Sequence, residues 1–444
     1  MFTVFLICAT LAWTGATNDD WTQWRGPKLT GEVEAQPPLE WSDTQNVRWK
    51  VELPGAGQST PIVLGDKIFL LTAVDTGKAP EGAGEEKPKG AAALVNPRGR
   101  GPQGPTTVHQ FIVLCLSRKD GSVIWQKAVR EEVPHEGKHQ TASFASNSPI
   151  TDGENLYVSF GSRGLYCLSV DGEVLWEKDL GDMKIAFQFG EGSSPALHGD
   201  SLVVNWDHEG SSFIACFDKK TGDEKWRKAR DESTSWGTPL ITEVNGKPQV
   251  IVTGGGFSRG YDLASGEEIW RCSGMTANPI PSPVRVGDLV YLMSGFRGSA
   301  LQAIKIAEAQ GDISDKPAKV WEHDKRTSYV PSALVAGDYI YFLSVMNGIL
   351  TCLDRKTGEV AYDSQRIEGI SNIYASPVGA AGRVYLTGRE GTTVVIAQGP
   401  EYKVLATNEI PETVDASLAI VDGEILLRGD KHLYCIGNTG SGGN

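Results

Sequence analysis

The 444-residue chain repeats one short pattern, and that repetition limits its fold more than any other feature. Cys216 to Trp226 reads C-F-D-K-K-T-G-D-E-K-W, two short strands around a tight turn. Asp218 can bond its own backbone two residues on, and Gly222 takes positive φ at no steric cost, so the chain reverses there. The pattern returns at Cys115 to Trp125, Cys167 to Trp176, Tyr261 to Trp270 and Cys352 to Tyr362. One supersecondary unit copied along a chain marks a repeat architecture.

Each unit opens on a small residue, usually followed by Pro. It continues as an apolar strand, turns tightly and enters a second apolar strand. The openings are Thr60, Ser148, Ser194, Thr238, Ser282, Ser332, Ser376 and Ser417. Eight openings, most of them 41 to 50 residues apart and with no helical periodicity between them, predict an all-β fold. The expected architecture is an eight-bladed β-propeller of four-stranded antiparallel blades. The Trp position recurs at Trp49, Trp125, Trp176, Trp226, Trp270 and Trp321, with Tyr362 and Leu405 as substitutes. Trp49 precedes the first opening, in the strand V-R-W-K-V-E-L. The count closes if this N-terminal strand completes the last blade, which hides two free sheet edges. The large, repeated indoles are expected to dock neighbouring blades together.

The rest of the chain divides around this array, which is expected to span residues 41–437. Residues 1–16 have the apolar run and small final residues of a secretory signal, so export, for instance to a periplasm, is expected. Cys8 lacks the preceding small residues of a lipoprotein site. Residues 17–40 read as a segment laid over the surface, pinned by Trp21 and Trp24. Residues 76–105 are rich in Gly, Pro, Ala and Lys and read as a flexible insertion in blade 1. Residues 438–444 read as a disordered tail. No other apolar stretch is long enough to span a bilayer. A net charge of −13 argues against general nucleic-acid binding. Cys115, Cys167, Cys216, Cys352 and Cys435 share one position of the unit. Equivalent positions in stacked sheets lie about 10 Å apart, whereas a disulfide needs Cα atoms within about 7 Å. Buried free thiols are therefore expected.

Turns between strands one and two, and three and four, are tight. The longer loops share the opposite face, where a binding site is expected. Two patterns recur there. Arg163, Arg259, Arg297 and Arg389 each sit near Gly after a second strand, and Phe144, Phe189, Trp236, Tyr329 and Tyr374 approach the first strands. Functionally this reads as a ring of aromatics and cations, with Arg163, Arg259, Arg297, Arg389, Trp236, Tyr329 and Tyr374 suited to a carboxylate-bearing ligand or acidic segment. The alternative is structural: each Arg pairs with a nearby acid and the aromatics seal the ring. No catalytic residue and no metal ligand set stands out. His135 and His139 (H-E-G-K-H) lie in a loop, not on a helix, and Asp207-His208-Glu209 offers no fourth ligand.

The repeat core, apolar-Cys/Ala-Leu-Asp-x-x-Thr-Gly-Glu-x-x-Trp, resembles the pyrroloquinoline quinone-type, tryptophan-docking repeat. Its eight blades and split last blade look like the outer-membrane assembly factor of the BamB type, and W-T-Q-W-R-G-P looks like exported bacterial members of this repeat family. The BamB resemblance implies a non-catalytic scaffold with no cofactor, gripping an envelope protein partner; a monomer is expected. The other branch implies a quinoprotein dehydrogenase binding pyrroloquinoline quinone and Ca²⁺. That branch carries an adjacent Cys pair in many alcohol-oxidising members, and this sequence has no such pair. A carbohydrate-binding propeller is a further alternative.

Overall fold

The computed structural model describes residues 20–80 and 104–438. The expected signal 1–16, most of the insertion 76–105 and most of the tail 438–444 lie outside the described residues.

Eight sheets follow one another, each built on four antiparallel strands; seven take them in chain order, and two of those seven gain a short parallel fifth strand. Blade 3 is typical: Ala196–His198, Ser201–Trp206, Phe213–Asp218 and Glu224–Ala229. Its middle strands are buried on both faces and its outer strand alternates, as expected for sheets stacked around an axis. Blade 8 is assembled from both ends of the chain. Val47–Glu52 pairs antiparallel with His432–Ile436, with Trp49 opposite Cys435, so the N-terminal strand closes the ring as the sequence predicts.

The repeated Cys and Trp turn out to be cross-strand partners. Cys115 faces Trp125, Cys167 faces Trp176, Cys216 faces Trp226, and Cys352 faces Tyr362, each beside a register shift. In the two remaining Trp blades the partner is Gly260 or Ala303. A small residue is needed because the indole crosses over it: a Cβ on Gly260 would lie 2.1 Å from the Trp270 Nε1. All six described cysteines are free and buried. Burial pushes the Cys115, Cys167 and Cys352 thiols up to about 12, so they are inert fillers.

Each docking indole reaches the next blade. The N–H groups of Trp49, Trp125, Trp176, Trp226 and Trp321 donate to the carbonyls of Arg118, Val170, Lys219, Leu263 and Arg355, at 2.8 to 3.2 Å. The ring then covers the turn glycine of that blade, as Trp176 covers Gly222. Trp270 differs. Blade 5 has no glycine turn there; its longer connection carries Gly311–Asp312, which adds to blade 4 as a fifth strand with Gly311 beside Trp270. Trp270 is thereby fully buried and donates to Gln249 within its own blade, at 3.3 Å.

The N-terminal segment is a correction to the sequence reading. The segment expected over the surface instead enters the axis of the ring. Trp21 exchanges backbone hydrogen bonds with Val63 on the first strand of blade 1 (3.1 and 2.8 Å) and is fully buried. The Thr22 carbonyl accepts from Thr151 of blade 2. Arg25 donates to the carbonyls of Ala333 and Pro377, which lead into the first strands of blades 6 and 7. Glu32–Val33 then runs parallel to Val378–Ala380, the innermost strand of blade 7. The motif is self-consistent: Gly26 has φ +74 and lies under the Trp21 ring, and a Cβ on Gly31 would sit 2.5 Å from the Arg25 guanidinium carbon.

Candidate functional site

First strands begin on the long-loop face, and their opening residues form a belt. The N–H of Thr60 donates to the Ser148 Oγ at 2.9 Å, Ser148 to Ser194 at 2.8 Å, and Ser194 to Thr238 at 3.2 Å. Thr238 donates to Ser282, Ser282 to Ser332, Ser332 to Ser376, and Ser376 to Ser417, at 2.9 to 3.0 Å. Across the closing seam, Arg428 of blade 8 donates to Ser59 Oγ at 2.5 Å and to its carbonyl at 3.1 Å. The recurrent Ser or Thr was visible in the sequence, but its reason lies in the next blade. It accepts an N–H that would otherwise be buried without a partner. The Pro that usually follows lacks an N–H, which an innermost strand facing the axis does not need.

Above this belt the axis opens as a cavity of about 450 Å³, within the range of ligand pockets. All eight hydroxyl residues line it, with Phe189, Trp236, Phe296, Tyr329, Tyr374 and His139 around the mouth and Trp24 of the axial segment beneath. Trp236 donates to the Gly190 carbonyl at 2.7 Å, and Phe296 lies 4.8 Å from Tyr329, ring to ring. Burial pushes the Tyr329 hydroxyl up to about 12, so it stays protonated. The surrounding loops are strained. Phe187, Gln188, Arg297 and the β-branched Val345 all have φ between 53 and 55°. Val345 is clamped there: its carbonyl accepts from the Tyr329 N–H at 2.8 Å, and its N–H donates to the Thr327 carbonyl at 2.9 Å. Such outliers persist only where the surroundings enforce them, and they concentrate at functional sites.

The four arginines do not form one free cationic ring: Arg163 and Arg259 are buried against carboxylates, whereas Arg297 and Arg389 lie on the lining aromatics Phe296 and Tyr374. Arg163 is buried between Glu132 (2.7 Å) and Asp182. Arg259 is buried against Glu232, Asp231 and Glu268. Arg389 stacks 4.5 Å from the Tyr374 ring and is held by Asp415 at 2.5 and 3.2 Å. Only Arg297 of the four is exposed; it lies over Phe296 at 5.0 Å and makes no ion pair among the described residues. Trp236, Tyr329 and Tyr374 do line the cavity, whereas Phe144 packs away from it, against His109 and Lys138. Sequence reasoning did not place Trp24, Phe296 or the opening hydroxyl residues at the site.

The acids are also engaged. Asp207 pairs with Arg230 at 2.7 and 3.0 Å, with both side chains fully buried. His208 accepts from the Lys184 N–H, and Glu209 from Thr234. His135, Glu136 and Glu191 bring possible ligand atoms within 4.8 Å of one another. Each already has a partner. His135 Nε2 is 2.6 Å from the Met183 carbonyl, and its Nδ1 faces Arg163 at 3.2 Å. Glu136 accepts from Ile185 at 3.1 Å, and Glu191 takes both the N–H and hydroxyl of Ser162 at 2.6 Å. Burial raises the Glu191 carboxyl to about 7 against the opposing pull of those two bonds.

The family model for outer membrane protein assembly factor BamB matches residues 109–364. The chain belongs to that family. Among solved structures, BamB from Moraxella catarrhalis is similar over 87% of this chain and 97% of that one, with 14% identity and a TM-score of 0.56. The computationally designed Ika8 protein covers 74% of this chain, is itself covered over 92%, and shares 12% identity at a TM-score of 0.52. The quinohemoprotein alcohol dehydrogenase from Comamonas testosteroni shares 10% identity over 97% of this chain and 82% of its own, at a TM-score of 0.50. At these identities the likeness is one of fold. No curated protein sequence matches the chain. Among the described residues, no helix is long and apolar enough to cross a membrane.

Proposed function

We propose that this BamB-family propeller is an exported, non-catalytic scaffold that grips an extended segment of an envelope protein at the mouth of its axial cavity. The observation that carries this reading is the lining: aromatic walls, hydroxyl groups, and no Lys or Arg side chain. Its two acids, Glu191 and Asp415, are held by Ser162 and Arg389. Such a pocket accepts an apolar or aromatic side chain, while the belt hydroxyls, whose lone pairs take backbone N–H groups, keep their own O–H groups to donate to peptide carbonyls. The partner segment expected from the sequence was acidic; the lining favours an uncharged one. Phe187, 62% exposed at the rim, and Arg297 supply the outer contacts.

Photo-crosslinking tests this. A photoreactive residue at Phe187 or Arg297 should trap one envelope protein, and Tyr329→Ala should abolish the adduct. Equal trapping from a probe at Gly199, on the tight-turn face, would sink the reading.

The quinoprotein reading is disfavoured by the same lining. Pyrroloquinoline quinone carries three carboxylates, and a desolvated anion needs a countercharge. No Lys or Arg is present in the wall, and among the described residues the one carboxylate–imidazole trio nearby is already partnered. Titration with the quinone and Ca²⁺ should leave the absorption spectrum of the quinone unchanged; tight, spectrally visible binding would overturn the scaffold reading.

A further inference from the structure

Five arginines among the described residues are buried. Arg163, Arg230 and Arg259 each face carboxylates. Arg25 does not. It is 3% exposed, and among the described residues it has no ion pair and no charged neighbour. Its two terminal nitrogens donate to the carbonyls of Pro377, Thr30 and Ala333 at 2.6 to 3.0 Å, and its Nε has no acceptor. The Trp24 ring lies 5.5 Å from the guanidinium, which adds a quadrupole but no net charge. Burial lowers its pKa only to about 9, so the group remains cationic at neutral pH. A buried charge that is not paired carries a cost of several kcal/mol. Carbonyl dipoles reduce that cost without cancelling the charge.

Arg25 also lines a second chamber on the axis. This cavity of about 40 Å³ lies beneath Trp24, between Gln23, Leu29 and the first strands of blades 2 to 5. It exceeds the ~10–15 Å³ that one water needs. Its walls are mostly apolar, with Gln23, Thr238 and Ser282 the neutral polar residues among them and no acid to supply the missing countercharge. Arg428, the other buried arginine without a carboxylate, donates to Ser59 and lines none of the cavities described.

We propose that the axial chamber beside Arg25 binds a small monovalent anion, a halide such as chloride, on the buried guanidinium. The anion supplies the charge that the fold omits. It also fastens the N-terminal segment on the axis, because Arg25 ties that segment to blades 6 and 7.

The test uses the whole mature chain. Crystals soaked in sodium bromide should show an anomalous peak in contact with Arg25. The melting temperature should rise and saturate with chloride, compared with gluconate at the same ionic strength. Arg25→Met should abolish both effects, and Arg25→Lys should retain a weaker peak. No bromide at Arg25, together with superimposable melting in the two salts, would overturn the proposal. The wild-type measurements decide the matter even if Arg25→Met fails to fold. They are independent of partner binding at the mouth, so failure here leaves the scaffold reading standing.

Discussion

Blade docking can be weighed by comparing two glycines of blade 3. Gly222, in the turn between the third and fourth strands, has φ +72, and a Cβ there would lie 2.8 Å from the Trp176 Cδ2. Gly199, in the turn between the first and second, has φ +55 and nothing within 4 Å. Replacing either by Ala forces an L-residue into the left-handed region, at about 1–2 kcal/mol. At Gly199 that is the whole effect. At Gly222 the methyl also meets the indole of blade 2, an overpacking worth about 1–3 kcal/mol. It further displaces the Trp176 N–H from the Lys219 carbonyl, now 2.9 Å away, a bond worth about 1 kcal/mol. Gly199→Ala should therefore cost about 1–2 kcal/mol and Gly222→Ala about 3–6 kcal/mol, by the same terms. Equilibrium urea unfolding reads both as shifts of the midpoint. In a Trp176→Ala background the extra cost at Gly222 should disappear, which is the coupling a double-mutant cycle isolates. Equal shifts for the two glycines in the wild-type background would refute indole docking as the bond between blades.

Further outcomes follow from burial. The six described cysteines should resist thiol reagents in the native state and react only on unfolding, because burial holds Cys115 at about 12 and Cys435 at about 11; labelling before and after adding denaturant checks this. Asp207→Ala should destabilise by about 3–5 kcal/mol, since it strands a fully buried Arg230, whereas Glu34→Ala, at an exposed pair with Lys28, should leave the urea midpoint close to that of the wild type. Glu191 is an acid whose folded pKa is raised to about 7 from 4.5, so the native state holds a proton that the unfolded state releases. Its contribution is present below about 4.5 and is lost as pH rises through 7. The stability difference between wild type and Glu191→Gln should therefore swing toward the variant across that window, and a flat difference would contradict the raised pKa.

The ring was legible in the sequence because its determinants are local. A Gly turn, a Cys and a Trp ten residues apart define a hairpin wherever they occur, and eight hairpins define a circle. The arginine pairs were not legible. Glu132 meets Arg163, and Glu232 meets Arg259, from loops whose spacing follows no repeat. The hydroxyl belt was half-legible: the Ser or Thr was plain at every opening, but its partner is an N–H 41 to 88 residues away. The place of the motif W-T-Q-W-R-G-P was not legible either. The motif has no periodicity, and its two tryptophans suit a surface clamp as well as an axial plug. The buried, acid-free surroundings of Arg25 decide between those, and they exist only once eight blades have closed around it.

That segment explains why the mouth is a cavity rather than a pore. The first strands begin with Ser, Thr and Pro, which are too small to fill the axis of eight blades. The filling comes from outside the repeat, as Trp24. One face of the system borders the mouth cavity and the other the Arg25 chamber, since Trp24, Thr238 and Ser282 line both. The depth of the mouth is therefore set by a single residue that no blade contributes, and it can change without disturbing the ring. Trp24→Ala should leave the far-ultraviolet circular dichroism intact and join the two chambers, lowering stability by about 3–5 kcal/mol at most, the cost of removing a large aromatic from a packed site. A crystal structure of the variant in which the chambers stay separate would show that some other group forms the floor.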